Sequence, residues 1–127
     1  MQEKIMPSQY EIERIQLITV VMYGVFDGTR ESVSYLMRDV AMFYEVYSDV
    51  MEDAEQVVIC GKDSDSEAIN ALAMVALGFK GLDQIINSND AKLYEVAKAV
   101  IDSIDIEKEF SEKMRKHVMN EMQLRAA

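Results

Sequence analysis

TRESVSYLMRDVAMFYEVYSDVMEDAEQVVIC, residues 29–60, decides the fold class. Val33, Met37, Val40, Tyr44, Tyr47, Met51, Ala54 and Val58 recur in it at alternating steps of four and three. That 3.5-residue period belongs to a helix with a continuous apolar seam. Leu36, Phe43, Val50 and Val57 run beside the seam and widen it into a face suited to a bundle. Arg38, Asp39, Glu45, Asp49, Glu52 and Asp53 take the other side. The stretch therefore predicts one long helix over about 29–60. Such a helix spans roughly 45 Å, while a compact chain of this length has a diameter of about 36 Å. It must overhang a globular monomer, break near its C-terminal third, or be covered by a second subunit.

Outward from this stretch, the chain punctuates itself with caps. Ser8-Gln-Tyr-Glu11 is a capping box after a loose lead-in ending at Pro7. Ile12, Ile15, Ile18, Met22 and Phe26 mark the inner face of the helix it opens. From 17 to 26 that segment is apolar nearly all round, and its β-branched content would also suit a strand. Asp27-Gly28-Thr29 reads as a turn with Thr29 as the next N-cap. After Gly61-Lys62-Asp63 breaks the pattern, Ser64-Asp-Ser-Glu67 forms a second capping box. The helix that follows has Asn70 as its only polar residue past the first turn, which places it in the middle of the fold. Gly78 suits its C′ position. Two further helices are expected, one from Asp90 with Leu93, Val96, Val100 and Ile104 on a face, one from Asp105 with Phe110, Met114 and Val118 inward.

The expected fold is a single all-α domain over 1–127, a bundle of about four to six helices. It has one long helix (about 29–60) and a central apolar helix (about 65–78). The alternative is α/β, with strands near 17–26 and 56–60.

Charge narrows the function classes. Twenty-three acidic residues against thirteen basic ones give a net charge of −10. That balance disfavours nucleic acid, whose phosphates need Lys and Arg, and anionic membrane surfaces. Residues 27–67 hold eleven acidic residues against three basic ones, a local net of −8, which suits a basic protein partner. The single cysteine, Cys60, excludes an intrachain disulfide and fits a reducing interior. The N-terminus does not read as a signal peptide, and no apolar run reaches the ~18 residues of a membrane span. A cytoplasmic location is expected.

Glu52-x-x-Glu55 and Glu67-x-x-Asn70 are the first candidate site, since carboxylate pairs on facing helices can hold a divalent cation. This spacing resembles the all-α nucleoside triphosphate pyrophosphohydrolases, the MazG and dimeric dUTPase group. The resemblance implies a Mg²⁺-dependent hydrolase with Glu52, Glu55 and Glu67 as metal ligands. Asn70 departs from it, standing where that family has an aspartate. Val57 to Phe79 resembles the Gly-Ser-Asp-Ser-Asp loop of the carboxyaminoimidazole mutases, which implies a strand, a phosphate-cradling loop and a helix. Lys62 replaces the first serine of that loop. Ala68 stands where an EF-hand needs glycine. Cys60 and the single histidine, His117, suggest an inert thiol and a packed imidazole rather than a catalytic pair.

The reading that best fits these features is a non-enzymatic interaction or regulatory protein with no cofactor. It self-associates as a homodimer through its long helix, with Phe43, Val46, Tyr47 and Val50 near the twofold axis. A Mg²⁺-dependent hydrolase of the kind above, or a small-ligand sensor with a Met- and Tyr-lined pocket, are the alternatives.

Overall fold

The structure, a computed structural model, describes residues 5–88 and the positions Lys92, Glu95, Val96 and Ala99. Among the described residues the fold is all-helical, with no strand: α1 (Gln9–Val25), a 3-10 turn (Glu31–Val33), α2 (Ser34–Val46), α3 (Ser48–Cys60) and α4 (Glu67–Ser88). The helix expected from Asp105, and most of the one expected from Asp90, lie outside the described residues. Val96, expected on an inner face, is 66% exposed.

α1 begins as its sequence dictates. The Ser8 hydroxyl accepts from the Glu11 amide, and the Glu11 carboxylate accepts from the Ser8 amide, both at 3.1 Å. Ile15, Leu17, Ile18, Thr19, Met22 and Tyr23 are all buried, so α1 is enclosed on most of its circumference. The possible strand over 17–26 is instead the C-terminal half of this helix. The buried Thr19 hydroxyl donates to the Ile15 carbonyl at 2.8 Å. Phe26 then turns extended and Gly28, at φ +95°, carries the reversal.

The long helix expected over 29–60 is not continuous. Thr29 is not the N-cap: its hydroxyl accepts from the Ser32 amide at 3.4 Å, but Arg30 holds the cap position of the 3-10 turn and Val33 that of α2, neither with a side-chain cap bond. α2 then ends at Val46, and Tyr47, at φ −114° and ψ 42°, separates it from α3. The break falls between the middle of the stretch and the start of its C-terminal third. It resolves the length problem by folding the seam back onto the core: Leu36, Met37 and Val40 are buried from α2, and Val50, Met51 and Ala54 from α3. The possible strand at 56–60 is the end of α3, closed by Gly61 at φ +65°.

α4 packs against both α3 and α1, which makes it the central element the sequence called for. Its cap is Ser66 rather than Ser64: the Ser66 hydroxyl accepts from the Ile69 amide at 3.4 Å. Asn70 answers its own burial by bonding the loop. Its side-chain oxygen accepts from the Ser64 amide at 2.8 Å and its side-chain nitrogen donates to the Ser64 carbonyl at 2.9 Å. Gly78 does not end the helix; it is buried within it, and its carbonyl accepts from the Tyr23 hydroxyl at 2.6 Å. One glycine costs about 1 kcal/mol against alanine, and burial of Leu82 and Ile85 one and two turns later outweighs that. By length and composition α4 would also suffice to cross a membrane, but here it makes the contacts of a core helix.

Candidate interaction surface

Where α2 ends against α1, the core comes to the surface. Met42 is 58% and Val46 62% exposed, four residues apart on one helical face. With half-buried Phe43 and Tyr47 they wall one side of a groove of about 240 Å³. Glu11, Arg14 and Ile15 of α1 and Asp39 of α2 complete it. The Phe43 and Tyr47 rings lie tilted against each other with centroids 4.8 Å apart.

One polar contact crosses the groove. The Tyr47 hydroxyl donates to Oε2 of Glu11, whose Oε1 is already the capping-box acceptor for Ser8. A single carboxylate therefore ties the start of α1 to the junction of α2 and α3. The Tyr47 hydrogen bond, then the Ser8 amide, holds the Glu11 pKa below the ordinary carboxylate value. The same bond raises the Tyr47 phenol above its ordinary value. A carboxylate with a lowered folded-state pKa contributes stability above its unfolded pKa and loses it as pH falls through the folded one. We expect the wild type to lose stability over that acidic window and Glu11→Gln to lack that part of the dependence. Urea titrations of both proteins across the window measure it. Parallel pH profiles would show that the bond carries no linkage.

Of the four residues expected at a dimer axis, the structure gathers Phe43, Val46 and Tyr47 at this groove. It removes Val50, which is fully buried. Val50 follows Leu36 and Phe43 at sevenfold spacing and points inward with Met51 and Ala54. Met42 belongs with the exposed set, as the flanking apolar residue it is in sequence. Glu11 has a local signature as a cap, but nothing local marks its partnership with a residue 36 positions away.

The carboxylates of the candidate metal site are not brought together, and the described residues contain no group of three or more His, Cys, Asp or Glu able to hold an ion. Glu52 and Glu67 are exposed, and Glu55 pairs with Lys80 at 3.5 Å. Lys80 lies thirteen residues beyond Glu67 on the same helix, roughly 20 Å along its axis. A side chain that reaches one cannot reach the other. Lys80 also sits 5.6 Å over the ring of Tyr44, which packs on Phe79 with centroids 5.3 Å apart. Burial, then the nearby Glu55 carboxylate, pushes the Tyr44 phenol up, and its buried hydroxyl has no hydrogen-bond partner among the described residues.

The stretch resembling a phosphate-binding strand and loop is helical through Cys60, so no strand leads into the Lys62–Ser66 loop. Cys60 is an exposed free thiol. It borders a shallow depression of about 390 Å³ with Gln56, Lys62 and Ile69. His117 lies outside the described residues. Comparison with protein-family models, curated proteins and solved structures yields no match.

Proposed function

We propose that this is a non-enzymatic interaction protein that self-associates through the groove face of α1 and α2. The observation that supports it is the exposed Met42–Val46 face, continuous with the half-buried Phe43 and Tyr47. Apolar side chains clustered at a groove with a few polar groups are what an association surface presents, and isolated exposed ones are not. Acidic residues border the patch: Glu45 and Asp49 are exposed beside it. Two copies meeting here bring like charges together, so the contact is apolar in origin and opposed by charge.

That sets the sign of the salt response. Sedimentation over about 1–100 μM should give a particle of twice 14.5 kDa at the upper end. Raising salt, which shortens the Debye length from about 10 Å at 0.1 M, should strengthen the association. Met42→Glu should weaken it at least about tenfold with an unchanged melting temperature, since the side chain is exposed. An association that weakens with salt would instead favour docking of a basic partner on the acidic flank. A strictly monomeric protein throughout ends the proposal.

A further inference from the structure

α2 and α3 are joined by one residue, and nothing in Val46-Tyr47-Ser48 compels a break, since it has neither glycine nor proline. The Tyr47 amide donates to the Phe43 carbonyl and the Met51 amide to the Tyr47 carbonyl, each at 2.9 Å. Both are the i to i−4 bonds of an uninterrupted helix. Only the Tyr47 backbone departs, and no side chain caps the N-terminus of α3 in compensation. The apolar seam also keeps its period through the joint. Val33, Met37 and Val40 before it and Met51 and Ala54 after it are all buried.

Contacts between the two sides of Tyr47 hold the monomer closed. The Tyr23 hydroxyl bonds the Gly78 carbonyl at 2.6 Å, and the Gln16 side chain donates to the Ala71 carbonyl at 3.0 Å. Tyr44 packs on Phe79. Each pairs a residue before the joint with one after it. None requires that the two belong to the same copy.

We propose that Tyr47 is an exchange hinge. When it turns helical, α2 and α3 become one helix that carries α3 and α4 onto a second copy of this chain, which returns the same elements. This deepens the self-association reading and rests on it. A helix over Ser34–Cys60 is roughly 40 Å long, more than one compact subunit covers and well matched to two. Exchange re-forms the contacts between the halves and brings the Tyr47 backbone, the one departure at the joint, into the helix. The Tyr47–Glu11 bond is what it surrenders, so that bond acts as the latch of the closed form.

The test uses the full chain carrying Cys60→Ser, with spin labels on Arg38→Cys and Gln56→Cys, both exposed positions eighteen residues apart. It is refolded at about 1 μM and about 1 mM, diluted with excess unlabelled chain, and separated by size. The dimer should show a distance near 27 Å between these α-carbons, the value for a continuous helix, and the monomer a shorter one. Tyr47→Phe, which keeps the ring and removes the latch, should raise the dimer fraction several-fold. A dimer with the monomer's distance overturns the exchange and leaves the groove contact standing. No dimer at either concentration removes both. An unchanged or smaller dimer fraction in Tyr47→Phe overturns the hinge.

Discussion

Val50→Asp should unfold the protein at ambient temperature, whereas Val46→Asp, one helical turn earlier, should leave its stability within about 1 kcal/mol of the wild type. In an unbroken helix residues four apart share a face, and the two substitutions should do similar harm. The structure separates them completely: Val50 is fully buried and Val46 is 62% exposed. An aspartate at 50 must bury a charge with no partner or be protonated, at several kcal/mol. A domain of this size has only about 5–15 kcal/mol in all. At 46 the acid remains in water, and its penalty is the few tenths of a kcal/mol of a negative charge near a helix C-terminus. Urea denaturation followed by circular dichroism, at a concentration where the protein is monomeric, compares the two. Comparable losses would mean that Val46 is as enclosed as Val50. Val46→Asp should at the same time abolish self-association, because it places a charge in the centre of the apolar groove face.

The second large effect lies in α4. Leu72→Ala should cost about 3 kcal/mol, within the range for a fully enclosed leucine, and lower the melting temperature by about 10 °C. Leu72 is completely buried. It neighbours Ala71, whose carbonyl takes the Gln16 side chain of α1. α4 packs on α1 and α3 at once, so the space left by the truncation cannot close from one side without loosening the other. Ile59→Ala is the matched control: at 73% exposure it should change stability by under about 0.5 kcal/mol. A Leu72→Ala loss as small as the control's would show that α4 is not the core element.

Much of this architecture is written locally. The capping box at Ser8 and Glu11 needs only four residues, and it forms as the pattern requires. Val33, Met37, Val40, Met51 and Ala54 are buried in the order the heptad spacing sets. Asn70, polar among apolar neighbours, signals a hydrogen-bonded task and performs one. What sequence periodicity misses is decided at long range. The break at Tyr47 carries no glycine or proline, and its tie to Glu11 spans the whole of α1 and α2. Gly78 reads as a stop, yet α1 and α3 on either side hold the helix through it. The Glu52, Glu55 and Glu67 spacing is compatible with convergence, but spacing cannot say which turn of α4 faces α3. The Glu55–Lys80 pair does say so, and it is the wrong turn for a shared ion.

The two-way bond between Asn70 and the Ser64 backbone has a mechanical consequence. An amide side chain that bonds both the N–H and the C=O of one residue acts as a splint. It fastens the tail of the connecting loop to the second turn of α4, so that Ser64 to Asn70 travel as one rigid piece. The freedom left between α3 and α4 is then confined to Gly61, Lys62 and Asp63, three exposed residues beginning with the left-handed glycine. Any force that pries the two helices apart is felt at that short tether first, before a single turn of either helix has to melt.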